Sequence, residues 1–205
     1  MNKPPIPVNE IERLDSIERL AIMDTSPEQE YDDIVQLASL LAGTPISLIS
    51  LVDADRQWFK AKVGVDESET DRDIAFCAHA ILSSGPMIIE NLMEDRRFVD
   101  NPLVLNDPNV RFYAGFPLIT SEGHALGTLC VLDREPRALI ETQIFGLKTL
   151  ADQVLRNFEL RRSAIEIRKN AELIGKQRDV LLRSSKIQKN SWARFKKTFK
   201  NHCPD

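Results

Sequence analysis

Cysteine and long apolar runs are the scarcest features of this chain. Cysteine occurs three times in 205 residues, at Cys77, Cys130 and Cys203. So sparse and odd a set, in a sequence that begins with polar residues rather than an apolar secretory signal, argues against a disulfide framework. An uncharged stretch at residues 36–52 is interrupted by Gly43 and Pro45, which end a helix and begin a strand. We interpret this stretch as core rather than as a membrane span, and we expect a cytoplasmic protein.

Several enzyme motifs are missing as well. The sequence has no phosphate-binding loop, no Gly-x-Gly-x-x-Gly fingerprint and no Gly-x-Ser-x-Gly elbow. The ligand types that tetrahedral zinc needs occur in two pairs, Cys77 with His79 and His124 with Cys130. However, a cysteine and a histidine two residues apart on a helix point in different directions. We therefore expect no metal site, and cysteines that pack in the core.

The net charge of −4 conceals two regions of opposite sign. Residues 156–205 hold 14 of the 27 basic residues but only 5 of the 31 acidic ones, so the rest of the chain is strongly acidic. Helical spacing places Trp192, Phe195 and Phe199 on one face of this basic region. Such a helix suits an acidic protein or an anionic membrane surface, and we expect no nucleic acid partner. The alternatives are a solvated end, or docking onto the acidic domain.

Hydrophobic periodicity predicts a chain that mixes helices and strands. Helical spacing marks a segment from Glu10, a second from near Pro27 with Ser26 as its N-cap, and a long one from Glu141. Strands are predicted at residues 46–53, 57–63, 87–89, 111–119 and 125–132, and a short helix at residues 76–82. The strand at residues 46–53 is apolar on both sides, which predicts a central strand covered on both faces.

The long helix near the end of the chain carries an apolar stripe. Beyond the globular region the stripe continues as Ile167, Ile174 and Leu181, which are seven residues apart. Seven-residue spacing is typical of a coiled-coil seam, although Arg178 interrupts it and is expected to weaken the coil. We therefore expect a homodimer in which two such helices pair in parallel.

Three short segments in the middle of the chain carry the most information. They are FCAHAI at residues 76–81, RFYAGFPL at residues 111–118 and GHALGTLCVLD at residues 123–133. Together they resemble the GAF family, the small-molecule sensor domains of bacterial signalling proteins. The resemblance is closest to the GAF domains found ahead of histidine kinases and diguanylate cyclases. Weaker matches lie at residues 24–28, 45–60 and 89–102, and all the segments occur in the order that the family has.

The resemblance implies an α/β (α+β) fold with an antiparallel sheet of about six strands, flanking helices and a long C-terminal helix. It divides the chain into a flexible arm at residues 1–8, a GAF domain at residues 9–160 and a helical, basic extension at residues 161–205. Most GAF domains bind and relay rather than catalyse. We therefore expect a non-catalytic, cytoplasmic sensor that passes its ligand state along the C-terminal helix. The sequence does not name the ligand or any cofactor.

The family's ligand pocket lies on one face of the sheet, under the loop between the third and fourth strands. By this resemblance, seven residues are candidates for its lining: Trp58, Phe76, Cys77, His79, Phe98, Arg111 and Tyr113. Aromatic walls with a few polar groups suit a small-molecule site, although plain core packing would use the same aromatic residues. Arg111 could bind a carboxylate or phosphate, or could pair with Asp95 or Asp100 to fix the loop.

Two other functions are open on the sequence alone. Some GAF proteins reduce free methionine-R-sulfoxide with a thiolate and a resolving cysteine, and Cys77 and Cys130 could supply that pair. The other alternative is a ligand-free dimerisation scaffold whose pocket is filled by side chains. A covalent bilin is not expected, because Ala78 separates Cys77 from His79. The Asn-Lys…Phe…Asp-Glu signature of cyclic-nucleotide GAF domains is missing.

Overall fold

The apolar patterns fold into an antiparallel sheet with helices on both faces. The structure is a computed structural model, and it describes residues 2–200. The helices are α1 (Glu10–Leu20), α2 (Gln29–Ala42), α3 (Phe76–Ala80), α4 (Pro102–Leu105) and α5 (Glu141–Lys200). The strands are β1 (Ile46–Val52), β2 (Arg56–Val63), β3 (Glu69–Asp71), β4 (Met87–Ile89), β5 (Phe112–Ile119) and β6 (Ala125–Asp133). They lie in the order β3-β2-β1-β6-β5-β4, and all neighbouring pairs are antiparallel.

Strand β1 occupies the middle of the sheet and separates two cores. All of its residues are buried. Ile49 and Leu51 belong to the core shared with α1, α2 and α5, whereas Leu48 and Val52 belong to the core under α3 and α4. Each such side chain contributes roughly 1.5–3 kcal/mol when fully buried. The prediction of a central strand covered on both faces is confirmed.

A bulge in β2 breaks the strict alternation of its side chains. Ile49 pairs with Ala61 and the next residue, Ser50, pairs with Phe59, so Lys60 is the extra residue of the bulge. A bulge commonly changes the face to which the residue after it points. As a result Ala61 moves to the helical layer. Lys60 lies on that layer as well, as alternation predicts, and its side chain is completely buried, while Phe59 stays in the other core.

The buried Lys60 explains why α2 begins later than the sequence pattern suggests. Its Nζ donates to Thr25 Oγ1 and to the Ser26 carbonyl, each at 2.9 Å. Glu28 is the residue before the first helical turn, and its backbone is extended. The predicted start near Pro27, with Ser26 as N-cap, is therefore wrong by two residues, because tertiary contacts to Lys60 hold that segment extended.

Helix α5 begins at Glu141, as predicted, and belongs to two compact units. The first unit ends at Arg162 and the second begins at Ser163. In the second unit Ile167, Ile174 and Leu181 are all more than 60% exposed. The side chains of Phe195 and Phe199, which the sequence places on the basic helix face, lie outside the described part. Among residues 2–200, no helix combines the length and the apolar character needed to cross a bilayer.

Candidate functional site

A cavity of about 130 Å³ lies between the sheet and the segment that carries α3 and α4. Side chains two apart on a strand face the same way, so β1 and β2 each present alternate residues to it. The apolar part of the wall comes mainly from Ile46, Leu48, Phe59, Phe76, Leu103, Val110 and Leu132. An enclosed, mostly apolar wall with few polar groups is typical of a small-molecule site.

Three of the seven residues proposed from the sequence line this cavity, namely Phe76, Cys77 and Tyr113. The ring centroids of Phe76 and Tyr113 are 5.4 Å apart. The short helix α3 packs on the sheet and buries both Phe76 and Cys77. Helix α3 and strand β5 therefore bring together the part of the site that the sequence could find.

Trp58 lies on the opposite side of the sheet from the cavity. It belongs to the core with α1, α2 and α5, because neighbouring strand residues point to opposite faces. Phe59, the next residue, lines the cavity in its place. His79 and Phe98 pack against each other edge to face, with ring centroids 4.8 Å apart, outside the lining. Burial lowers the pKa of His79.

Arg111 also lies outside the cavity lining. Its Nη1 donates to the Val104 carbonyl at 2.7 Å and to the Val110 carbonyl at 3.1 Å. It thus fixes the loop after α4 through backbone carbonyls, rather than through Asp95 or Asp100 as the sequence suggested. Asp95 pairs instead with Arg97. Nη1 of Arg111 is thus used by the loop, and Arg111 is not part of the cavity wall.

Two buried thiols and a tyrosine meet at the cavity wall. Cys77 Sγ lies 3.7 Å from Cys130 Sγ, and the Tyr113 hydroxyl donates to Cys77 Sγ at 3.3 Å. The absence of a side chain at Gly115 makes this possible, because a Cβ there would lie 2.1 Å from the Tyr113 hydroxyl oxygen. The motif glycine of strand β5 therefore leaves room for the tyrosine.

The two thiols differ in acidity. Burial raises the pKa of Cys77, but hydrogen bonds, the first from Cys130 and others from Ser50, Thr128 and Tyr113, outweigh burial and lower the pKa to about 7. Burial, together with the bond shared with Cys77, raises the pKa of Cys130 well above its ordinary value. The first proton lost from the pair therefore leaves Cys77, and the thiolate is the nucleophilic form of a cysteine.

Sequence reasoning missed two polar residues of the wall, Gln57 and Thr70. They are cross-strand partners on β2 and β3, and both line the cavity. Gln57 Oε1 and Thr70 Oγ1 are buried, and within residues 2–200 neither has a hydrogen-bond partner. Buried polar atoms in proteins nearly always have one. The available signal was alternation, because Gln57 shares its strand face with the apolar Phe59.

The histidines do not join the cysteines to form a metal site. His124 Nδ1 lies 2.6 Å from Ser16 Oγ, and His79 packs on Phe98. In the described part of the chain, no three or more His, Cys, Asp or Glu side chains are arranged to hold a metal ion. Of the four residues considered for zinc, the structure thus brings together only Cys77 and Cys130.

A larger groove, of about 630 Å³, runs along α1. Acidic side chains dominate its polar lining, and its Arg56 is bound by Asp24 and Glu69. The groove is a solvent-open channel on the surface. The smaller cavity is more enclosed, contains the thiols and has two buried polar atoms without partners. We therefore place the candidate site in the smaller cavity.

Comparison with known proteins gives one family. The family model described as GAF domain matches residues 26–157. A cyclic di-GMP phosphodiesterase of Pseudomonas aeruginosa is 40% identical over 187 residues, which are 89% of this chain and 32% of that protein. This chain therefore spans about a third of that relative's length.

Solved structures show the same fold at low sequence identity. The GAF domain of an Acinetobacter phosphoenolpyruvate-protein phosphotransferase is 17% identical with a TM-score of 0.54, and the match covers 76% of this chain and 98% of that one. A free methionine-R-sulfoxide reductase from Neisseria meningitidis, solved in complex with its substrate, is 16% identical with a TM-score of 0.54. That match covers 73% of this chain and 89% of the reductase chain.

Proposed function

Because this chain belongs to the GAF family, we propose that it is a sensor of bacterial signal transduction that binds one small molecule in the cavity. In this proposal it relays the bound state to α5 and catalyses no reaction. The observation that carries the proposal is that strand β2 contacts both the cavity and Glu28, the residue that binds Arg161 of α5. Site and output helix are thus connected through β2 and the residue Glu28 that it binds.

Phe59 and Lys60 make the two contacts of β2. Phe59 lines the cavity. Lys60, on the opposite face of the strand, donates to Glu28 Oε1 at 2.5 Å. A displacement of β2 at Phe59 moves the backbone of Lys60 as well, because the residues are adjacent. The ion pair with Glu28 is therefore sensitive to what occupies the cavity.

Glu28 carries the connection to α5. Arg161 Nη1 donates to Glu28 Oε1 at 3.2 Å, and Arg161 also donates to the carbonyls of Leu20 and Ala21. Arg161 is thus held at the loop after α1, close to the end of the first compact unit at Arg162. Weakening the pair between Lys60 and Glu28 changes how firmly this part of α5 is held.

Hydrogen–deuterium exchange of the full chain tests the relay without a ligand. Phe59→Ala and Phe76→Ala each remove one phenyl ring from the cavity wall, but only Phe59 is on β2. We expect faster exchange of α5 amides near Arg161 in Phe59→Ala, and little change there in Phe76→Ala. Equal effects of the two variants on α5 would contradict the relay.

Partners and location are further parts of the proposal. The exposed Ile167, Ile174 and Leu181 support a homodimer through α5, since exposed apolar residues at this spacing pair readily. The basic region after residue 156 supports contact with an acidic protein or an anionic membrane surface. We place the protein in the cytoplasm, where its two cavity thiols would stay reduced.

The output is proposed to be second-messenger turnover. The relative from Pseudomonas aeruginosa is named a cyclic di-GMP phosphodiesterase, and this chain matches only 32% of it. We propose that a region like this one regulates such an enzyme and does not perform the hydrolysis. Assay of the purified chain with cyclic di-GMP should show no hydrolysis. Turnover by this chain alone would contradict the non-catalytic assignment.

A thiol reductase is the second candidate, and the geometry of Cys77 and Cys130 favours it. A sulfoxide in the cavity could accept two electrons and two protons from the two thiols. Its oxygen would leave as water, the sulfide would be released, and a Cys77–Cys130 disulfide would form. A dithiol reductant of the thioredoxin type would then restore both thiols.

A thioredoxin-coupled assay separates the two candidates. The substrate is free methionine-R-sulfoxide, and consumption of NADPH is followed. The sensor proposal expects no turnover above that of a Cys77→Ser, Cys130→Ser double variant. Turnover that disappears in either single variant would establish the enzyme, and the Cys203→Ser variant serves as the control outside the cavity.

A further inference from the structure

The polar groups and the size of the cavity restrict what can bind. We propose that it takes an uncharged molecule of about one ring in size, carrying a hydroxyl or N–H donor, and that it rejects carboxylates and phosphates. This rests on the proposed function, because it names the ligand class of the same site. Size, hydrogen bonding and charge each support it.

Size limits the ligand to a small molecule. The cavity measures about 130 Å³, whereas pockets for drug-sized ligands measure roughly 300–1,000 Å³. An apolar cavity of about 150 Å³ in another protein accommodates benzene. The walls here are similarly apolar, with Phe59, Phe76 and Leu48 among them. A ligand of one ring fits, and a nucleotide does not.

Two buried oxygen atoms specify the polar group of the ligand. Gln57 Oε1 and Thr70 Oγ1 are buried without partners among the described residues, and they belong to facing residues of β2 and β3. An amide oxygen can only accept a hydrogen bond, and a threonine hydroxyl can accept or donate. A ligand with an O–H or N–H group satisfies Gln57 and can bond Thr70 too.

Charge excludes anions. Among residues 2–200 no lysine or arginine lines the cavity, and the charged residues of its wall are Glu67 and Asp107, both exposed. A buried anion needs a cationic partner to offset the loss of its hydration. A carboxylate or phosphate here would have none and would also meet two carboxylates at the edge.

Two cations close to this edge bind backbone carbonyls there. Lys62 Nζ donates to the carbonyls of Asp66 and Glu67. Arg134 Nε donates to the Pro108 carbonyl at 3.1 Å on the exposed side. Neither side chain belongs to the wall of the cavity. Arg111, the candidate cation from the sequence, binds carbonyls outside it. The ligand must therefore be recognised without an ion pair.

Four probes that differ in one property test the proposal on the full chain by ligand-observed NMR titration. Phenol and toluene have nearly the same shape, but only phenol has a donor. Benzamide and benzoate are also alike in shape, but only benzoate is charged. We expect phenol to bind about fivefold more tightly than toluene, as one hydrogen bond provides, and benzamide to bind while benzoate does not.

Substitutions then locate the contact. Gln57→Leu removes the amide and should weaken phenol about fivefold while leaving toluene unchanged. Gln36→Leu, on the exposed face of α2, is the matched control and should change neither. Thr70→Val, which keeps the side-chain shape, is a second variant in case Gln57→Leu does not fold. Circular dichroism verifies folding before each titration.

The outcomes separate the ligand class from the proposed function. Benzoate binding as tightly as benzamide, or toluene as tightly as phenol, would overturn the ligand class while leaving a binding cavity and thus the sensor. Failure of all four probes would also overturn the ligand class. The exchange experiment on Phe59→Ala uses no ligand and would still decide the relay. Binding that follows donor and charge and depends on Gln57 supports the proposal.

Discussion

The Sγ atoms of Cys77 and Cys130 lie 3.7 Å apart in the buried wall of the cavity. Helix α3 and strand β6 bring together residues 53 positions apart in the chain. Neither thiol is solvent-exposed, and burial alone would keep both protonated. The neighbouring hydrogen-bond donors make Cys77 the more acidic of the two, which has consequences that can be measured.

Cys130→Ala should raise the pKa of Cys77, because it removes the largest of the hydrogen bonds that lower it. Cys130→Ser should keep the pKa of Cys77 lowered, since the serine hydroxyl can still donate. Thiolate absorbance as a function of pH, in a Cys203→Ser background, measures the difference. Identical titrations in the two variants would contradict the role assigned to Cys130.

Stability should depend on pH through the same thiol. The folded-state pKa of Cys77 is about 7, below its ordinary value of 9.0. Between these values the unfolded chain binds more protons, so the free energy of unfolding should rise from pH 7 to pH 9 and should fall as pH drops through 7. The measurement should be made on the Cys130→Ser variant. Cys130 itself has a raised pKa, so its titration changes the free energy of unfolding in the opposite direction. Urea denaturation in the Cys203→Ser background measures the rise, which should vanish when Cys77→Ser is added.

Gly127→Ala should destabilise the fold far more than Gly85→Ala. A Cβ at Gly127 would lie 1.9 Å from the Ser50 carbonyl oxygen, between β1 and β6, whereas nothing lies within 4 Å of one at Gly85. Overpacking of this kind costs about 1–3 kcal/mol. Urea denaturation gives the comparison. Similar midpoints for the two variants would show that the central strands separate easily.

The sequence was sufficient for the central strand and the long helix. Residues 46–52 are apolar on both sides, and only a strand with a core on each face satisfies them. Helix α5 could be predicted because its stripe is long and regular. The fold as a whole could be predicted because three motif segments occur in the family's order, and Gly115 and Gly127 in two of them sit where a side chain would collide.

The site was only partly predictable, for reasons that lie in tertiary structure. Strict alternation puts Phe59 and Ala61 on one side of β2, but the bulge moves Ala61 to the core of Trp58. No local signal marks Lys60 as the inserted residue. The pairing of Gln57 with Thr70 depends on strand β3, which is three residues long. The carbonyl partners of Arg111 could not be predicted, because a bond to a backbone carbonyl has no sequence signature.

Lys60→Met should lower the free energy of unfolding by about 1–3 kcal/mol, as the loss of a buried charge-assisted hydrogen bond does. Methionine keeps the apolar stem but removes the bonds to Thr25, Ser26 and Glu28. Lys62→Met on the same strand is the control, and its effect should stay within about 0.5 kcal/mol, as at most surface sites. Urea denaturation measures both. Equal losses in the two variants would mean that burial of Lys60 does not strengthen the contribution of its contacts to the free energy of unfolding.

Association through α5 should depend on the apolar seam of that helix. Ile174→Lys places a charge in the seven-residue seam, whereas Gln177→Lys adds the same charge at another exposed position of the helix. Removing a buried isoleucine from an interface costs about 1.5–3 kcal/mol, so the dissociation constant should rise about tenfold or more. Sedimentation of the full chain at tens of micromolar should give a dimer for the wild type and Gln177→Lys, and a larger monomer fraction for Ile174→Lys.

Truncation after Arg162, where the first compact unit ends, should likewise weaken association without unfolding the domain. A wild-type chain that sediments as a monomer under these conditions would rule out the proposed homodimer.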